Sequence, residues 1–109
     1  MSHNKLGDVE VAAGNLDAAR SAYEKSLAIA ERLAKADANN SERQRDLVVS
    51  YAKIGGLFAQ QSQRNEALEY FEKARAIAVR LTRHDPTKAV WRGDLAAIEA
   101  GVAQLNAAS

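Results

Sequence analysis

The sequence predicts an all-α fold of antiparallel helical pairs, from helical apolar spacing, a short polar break and an internal repeat. One row of apolar residues, which we call a stripe, has steps of four, three and four and comprises Leu47, Tyr51, Ile54 and Phe58. A second comprises Ala67, Phe71, Ala74, Ala78 and Leu81. Residues spaced in this way share one face of a helix. The break between the stripes, QQSQRN, is short and has no apolar residue, so the two helices must fold back and bury their stripes together.

The composition bounds the domain count and the classes of partner. With 109 residues, 47% hydrophobic and 27% charged with one proline, the chain fits a single globular helical domain over residues 1–109. Fifteen basic residues are balanced by fourteen acidic ones, whereas nucleic-acid binding normally needs a basic face. We therefore expect no nucleic-acid partner. The absence of cysteine excludes disulfides, thiolate metal sites and cysteine nucleophiles.

The sequence also bears on the compartment. No apolar run approaches the roughly 20 residues that span a bilayer. The first residues, MSHNKLGD, lack the apolar core of a signal peptide. These features predict a cytoplasmic protein without a membrane partner.

The chain repeats itself without a gap at an offset of 48 residues. Identical pairs include Lys5 and Lys53, Gly7 and Gly55, Ala19 and Ala67, Glu24 and Glu72, Ile29 and Ile77, Leu33 and Leu81, and Asp46 and Asp94. Conservative pairs include Leu6 and Ile54, Val9 and Leu57, and Tyr23 and Phe71. We call residues related by this offset repeat mates. A match of this length predicts two copies of one structural unit.

The second copy resembles the tetratricopeptide repeat, a helix-turn-helix unit of about 34 residues. It presents the residues of that pattern in order: Tyr51, Ile54, Gly55, Phe58, Ala67, Phe71 and Pro86. The distance from glycine to alanine is the same in both copies (67 − 55 = 12 and 19 − 7 = 12). The first copy is looser, with His3 and Glu10 in place of the first-helix aromatics. The resemblance implies a right-handed α-solenoid of antiparallel hairpins, with about two and a half repeats and five helices.

The period exceeds that of the family by fourteen residues (48 − 34 = 14). Seven of them fall between Ala67 and Pro86, and the other seven must lengthen the first helix of the next unit. Seven residues make about two helical turns, or ~10 Å, so the packing stripe returns to nearly the same face. Both helices of each unit should therefore be longer than usual.

Five helices are expected, at about residues 4–13, 16–36, 41–61, 65–83 and 87–107. They group into repeat 1 over residues 1–40, repeat 2 over 41–86 and a terminal helix over 87–109. Gly14 ends the first helix and Asn15 is a candidate N-cap for the second. Ser41 and Gln44 have the spacing of a capping box for the third. Pro86 should stop the fourth helix and begin the fifth.

No set of residues predicts catalysis, a cofactor or a metal site. His3 and His84 lie in different copies, and neither has a helix-spaced carboxylate or histidine with which to hold a metal. Gly55 is the small residue that lets a neighbouring helix approach. Gly56 costs up to ~1 kcal/mol relative to alanine in a helix, which indicates that a backbone or a ligand comes close to it.

The resemblance implies a concave face lined by the first helix of each unit, which holds an extended peptide or a partner helix. The predicted binding residues are Asp8, Val11, Arg45, Val49, Lys53, Gly56, Gln60 and Gln104. Small residues leave room between them: Ala12, Ala52, Ala97 and Ala100. Equally, these positions could be no more than the solvent side of the helices. The family members that clamp a terminal carboxylate have lysine and asparagine where this chain has Asn4 and Asp8, so that clamp is not expected.

The sequence therefore predicts a non-catalytic module that binds a protein or peptide and forms part of a larger protein. One alternative is a self-associating module with exposed repeat ends that form a homodimer. The first helix lacks the counterpart of most of Ser41–Lys53, which should leave Leu27 and Leu33 partly uncovered. A regulatory domain attached to an enzyme is another alternative, and direct RNA binding is a more distant one.

Overall fold

The computed structural model describes residues 3–107, and within that range it contains five helices and no strand. These are α1 (His3–Ala12), α2 (Leu16–Ala36), α3 (Ser41–Gln60), α4 (Arg64–His84) and α5 (Ala89–Ala107). The all-α prediction is confirmed, and every helix end lies within two residues of its expected position. Residues 1, 2, 108 and 109 and the side chain of His3 lie outside the described part of the predicted domain.

Successive helices pack in antiparallel pairs. Close packing joins α1 to α2, α2 to α3, α3 to α4 and α4 to α5, and α3 also packs on α5. The start of α4 meets the end of α5, where the Arg64 Nε donates to the Leu105 carbonyl at 3.0 Å. This arrangement places α1, α3 and α5 next to one another on one side of the molecule, with α2 and α4 behind them.

The core follows the apolar stripes of the sequence. Ile54 and Val48 are among the largest side chains that are fully buried, and Phe58, Ala67 and Leu81 belong to the same cluster. Leu27 is half-buried, as expected where α1 is short. Because buried residues run from Leu47 to Phe58 on α3 and from Ala67 to Leu81 on α4, the two long helices are packed over most of their length.

A glycine of the first helix faces an aromatic ring of the second in both hairpins. A Cβ atom added at Gly7 would overlap the Tyr23 ring, and one added at Gly55 would lie 3.1 Å from the Phe71 ring. Gly55 thus lets the neighbouring helix approach, as predicted. The same contact in both hairpins shows that each first helix lies against its second helix in the same register.

Two predicted N-cap interactions are wrong, although α2 and α3 begin where expected. Asn40, not Ser41, caps α3, because its side-chain oxygen accepts hydrogen bonds from the backbone N–H groups of Glu42 and Arg43 at 3.0 and 3.2 Å. Gln44 instead donates its side-chain amide to the Ala38 carbonyl. Asn15 makes no cap for α2, because its amide nitrogen donates to Glu10 at 2.9 Å.

Pro86 does not begin α5, which starts three residues later at Ala89. The Asp85 carboxylate accepts hydrogen bonds from both the backbone N–H and the hydroxyl of Thr87. These bonds hold residues 85–87 in a turn, and they lower the pKa of the Asp85 carboxyl. Gly14, with φ +82°, follows α1 in the left-handed conformation that glycine tolerates best.

Candidate functional site

The side of the molecule on which α1, α3 and α5 are adjacent carries two neighbouring recesses, and we call it the groove face. The polar recess lies between α1 and α3, with a volume of about 210 Å³. The apolar recess lies between α3 and α5, with a volume of about 250 Å³. Ala52 and Lys53 line both, so the two recesses form one continuous surface centred on the middle of α3.

Three polar side chains meet in the polar recess. The Asp8 carboxylate accepts a hydrogen bond from the Tyr23 hydroxyl at 2.6 Å. It also accepts from the Lys53 ammonium group at 2.9 and 3.0 Å. Lys53 thus links α3 to α1, two helices that are not among the closely packed pairs.

These contacts shift two pKa values in opposite directions. Burial acts to raise the pKa of Asp8, but the hydrogen bonds from Tyr23 and Lys53 and the charge of Lys53 outweigh it and lower that pKa. Burial and the neighbouring Asp8 carboxylate raise the pKa of Tyr23 well above its usual value. At neutral pH the hydroxyl therefore remains a donor and the carboxylate remains ionised.

The apolar recess is lined mainly by hydrocarbon. Its walls are Val48, Val49, Ala52, Phe71, Ala97 and Ile98, with Lys53 and Asp94 as the charged members. Asp94 accepts hydrogen bonds from the Arg45 guanidinium at 2.9 and 3.4 Å. Since the charged groups are few, this recess is suited to an apolar side chain with polar groups beside it.

The structure brings most of the predicted binding residues together. The polar recess includes Asp8, Val11, Lys53, Gly56 and Gln60. Val49 lines the apolar recess. Arg45 lines neither recess but pairs with Asp94 at the edge of the apolar one. Gln104 is exposed on α5 and lines neither recess.

Of the small residues predicted on this face, some line a recess and others do not. Ala52 and Ala97 line recesses, whereas Ala12 and Ala100 are exposed outside them. A Cβ atom added at Gly56 would meet no atom within 4 Å. Nothing in the described protein therefore requires glycine at position 56, and the absent side chain leaves open space in the polar recess.

Sequence reasoning missed the contribution of the second helices. Tyr23 on α2 and Phe71 on α4 reach the groove face past Gly7 and Gly55, where no side chain blocks them. The sequence predicts Phe71 only as a member of the buried stripe, and Tyr23 only as its repeat mate. The signal that could have found them is the tyrosine hydroxyl, because a buried Tyr O–H normally needs a polar partner.

Two further features are observed in the part of the chain that the structure describes. None of its helices is long and apolar enough to cross a membrane. Residues 3–107 contain no group of three or more His, Cys, Asp or Glu side chains placed to hold a metal ion.

Comparison with known proteins identifies the family. The family profile described as tetratricopeptide repeat matches residues 1–78. No curated protein and no solved structure matches the chain. The match covers both glycine-aromatic hairpin contacts and most of α4. On this evidence, the chain belongs to the tetratricopeptide repeat family.

Proposed function

We propose that this protein is a non-catalytic interaction module that binds an extended peptide or a partner helix on the groove face. Proteins of the family generally act as protein-protein interaction modules. The observation that carries the proposal is that two recesses share the middle of α3, with Ala52, Gly56 and Ala97 between larger side chains. Small residues at these points leave room for a ligand backbone to approach.

The charged groups on this face support binding rather than catalysis. The Asp8 carboxylate already pairs with Lys53, and the Asp94 carboxylate already pairs with Arg45. These pairs are partly exposed, and exposed pairs contribute about 0–1 kcal/mol. A ligand can therefore exchange partners with them at low cost, which favours recognition of polar groups in a peptide.

The ligand is proposed to place an apolar side chain in the apolar recess and its polar groups near Lys53. A volume of about 250 Å³ lies just below the range of small-molecule pockets, about 300–1,000 Å³, and suits a single side chain. Gln60 and Lys53 offer donors along the polar recess. Specificity would then come from one apolar anchor and a few hydrogen bonds.

The test begins with a peptide selected from a random display library on the wild-type protein. Ala52→Trp places a large ring where the two recesses meet, so binding of the selected peptide should weaken at least about tenfold. Ala76→Trp is the matched control, because Ala76 is exposed on α4 behind the groove face. Circular dichroism must show that both variants remain helical. Equal binding by Ala52→Trp and wild type would refute the proposed site.

One observation favours self-association as a second candidate function. Leu6 and Val9 on α1 are 41% and 53% exposed, whereas their repeat mates Ile54 and Leu57 are 1% and 3% exposed. In the second copy these positions belong to α3, which packs on both α2 and α4, and exposed apolar patches commonly mark interfaces. Sedimentation velocity should then detect dimers that Leu6→Glu removes. A wild-type monomer at high micromolar concentration would exclude this function.

A further inference from the structure

A third recess lies between the last two turns of α4 and the segment that joins α2 to α3, and we call it the basic recess. It has a volume of about 310 Å³. Its walls are Ala38, Asn39, Ser41, Gln44, Ile77, Arg80, Leu81 and His84. None of these residues lines either recess of the groove face. The basic recess is therefore a separate surface, which the proposed function does not use.

The α4 wall of the basic recess combines an apolar floor with two basic groups. Ile77 and Leu81 are buried and form the floor. Arg80 and His84 are exposed beside them. Because these two residues are four positions apart on one helix, their side chains lie on the same side of α4. A ligand in the recess can therefore contact both basic groups and the apolar floor together.

The other wall of the basic recess supplies neutral hydrogen-bond donors. Asn39 carries a side-chain amide and Ser41 a hydroxyl group. The Gln44 side-chain amide donates to the Ala38 carbonyl at 3.3 Å, so that carbonyl already has a donor. The recess therefore presents hydrogen-bond donors from two sides.

Among residues 3–107, no acidic side chain lines the basic recess. The nearest acidic residues in the sequence have contacts elsewhere. Asp37 accepts a hydrogen bond from the Asn40 side-chain amide at 3.1 Å, and Asp85 accepts two from Thr87. Glu42 lines a different recess, between the starts of α3 and α5. No carboxylate of the lining therefore offsets the basic groups.

Arg80 makes no ion pair within the described part of the chain. Earlier on the same helix, Arg75 lies 4.0 Å from the Glu99 carboxylate. The residues three and four positions after Arg80 are Arg83 and His84, so its helical neighbours on that side are basic as well. Basic residues in the last turn of a helix suit its dipole, which accounts for Arg83 and His84. It does not account for Arg80, which lies one turn earlier.

From these observations we infer that the basic recess binds a phosphate monoester. Its phosphoryl oxygens lie between Arg80 and His84 on one wall and Ser41 on the other. Its carbon part packs on Ile77 and Leu81. The inference does not depend on the groove function, because the two surfaces share no residue.

The chemistry of the walls favours a phosphate monoester over a carboxylate. The phosphoryl group carries a charge of about −1.5 to −2 at pH 7 and has three strong acceptor oxygens, so it can accept hydrogen bonds from both walls at once. A guanidinium group such as that of Arg80 binds phosphate through two parallel hydrogen bonds. A volume of about 310 Å³ suits one small ester or one phosphorylated side chain.

The probes are the capped peptide acetyl-Ala-phosphoserine-Ala-amide and glycerol 3-phosphate, each titrated into the wild-type protein and followed by amide chemical shifts. The Kd of the better probe should be on the order of 1 mM, because exposed charged groups attract one another weakly in water. Shifts should centre on Asn39, Ser41, Arg80 and His84. Tighter binding of the peptide would support the inference with a phosphorylated protein as the source, and tighter binding of glycerol 3-phosphate would support it with a soluble metabolite.

Two further titrations separate the phosphoryl group from the carbon part. The same peptide with unphosphorylated serine should cause no shifts at these residues. Inorganic phosphate should cause shifts at the same residues but bind at least about threefold more weakly than the better probe, because it has no carbon part to pack on the apolar floor.

Three protein variants test the specific contacts. Arg80→Gln should weaken binding at least about fivefold, because it removes the guanidinium group. Arg83→Gln is its matched control, since Arg83 is an exposed arginine on the same helix that does not line the recess, and it should change binding less than about twofold. His84→Phe should weaken binding about two- to threefold, because it keeps a ring but removes the hydrogen-bond donor. Circular dichroism must show that all three variants remain helical.

Three outcomes would overturn the inference. The first is the absence of shifts with both probes at about 10 mM, ten times the expected Kd. The second is an equal loss of binding in Arg80→Gln and Arg83→Gln, which would mean a general attraction of anions to the basic end of α4. The third is equal binding of inorganic phosphate and the better probe, which would mean an adventitious ion only.

Discussion

The two hairpins share one packing contact and differ in three positions around it. In the first, Tyr23 of α2 lies against Gly7 and its hydroxyl meets Asp8 and Lys53. In the second, Phe71 of α4 lies against Gly55. The repeat mates of Tyr23, Asp8 and Lys53 are Phe71, Gly56 and Gly101.

This matched difference determines the character of the two recesses. Where tyrosine supplies a hydroxyl, an acid and a lysine are present to bond with it, and the polar recess results. Phe71 has no hydroxyl, and glycines 56 and 101 stand in place of the acid and the lysine. A Cβ atom at Gly101 would lie 3.3 Å from the Phe71 ring. The loss of two long side chains also lets α5 pack closely on α3, which α1 does not.

The largest expected loss of stability comes from removing the Phe71 ring, which lies on α4 and packs against α3 and α5. Phe71 is 9% exposed and touches Gly55 on α3 and Gly101 on α5. Phe71→Ala should lower the free energy of unfolding by about 3–5 kcal/mol, from lost burial and the cavity left behind. Urea denaturation followed by circular dichroism measures it. A loss below about 1 kcal/mol would show that the ring does not hold α3, α4 and α5 together.

Replacing Gly55 and Gly56 by alanine should change the stability of the fold in opposite directions. Gly55→Ala should destabilise the fold by about 1–3 kcal/mol, because its Cβ atom would crowd the Phe71 ring. Gly56→Ala should stabilise it by up to about 1 kcal/mol, because there is open space and alanine is the better helix former. Thermal and urea unfolding of the two variants provides the comparison. The same sign for both would contradict the assignment of Gly55 to packing and Gly56 to the recess.

The smallest expected effect on stability comes from Asp8 in the polar recess, and its size depends on pH. Asp8→Asn should cost about 1 kcal/mol or less at pH 7, since the carboxylate is partly exposed. The fold lowers the pKa of Asp8, so its contribution is complete above the unfolded value of about 3.9 and is lost as pH falls through the folded value.

The stability difference between wild type and Asp8→Asn should therefore be constant between about pH 7 and 5 and shrink below about pH 4. Unfolding free energies of both proteins across this range provide the test. Asp85, whose pKa is also lowered, is present in both and cancels in the difference. A difference that grows as the pH falls would reverse the assigned role of Asp8.

The fold could be predicted because its apolar spacing is repeated. The same stripe occurs twice at an offset of 48 residues, so each helix assignment was supported by its mate. The caps were harder because Asn39, Asn40 and Ser41 can all cap a helix. Only the turn geometry selects Asn40. At Pro86, the Asp85 side chain holds a turn that delays α5.

The candidate site was predictable where it depends on one helix face and not where it depends on packing between helices. Gly56 and Gln60 are four residues apart on α3 and line one recess, as helical spacing requires. Gln104 lies outside because its position depends on how α5 packs on α3, which spacing alone does not determine. The contributions of Tyr23 and Phe71 depend on which side chains pass between neighbouring helices.

The most direct test of the central claim, that the groove face binds the ligand, is amide chemical-shift mapping with the display-selected peptide. The account predicts that the shifts centre on Val49, Lys53, Gly56 and Ala97, which line the two recesses on α3 and α5. Shifts confined to exposed positions of α2 and α4, such as Ala28 and Ala76, would contradict it.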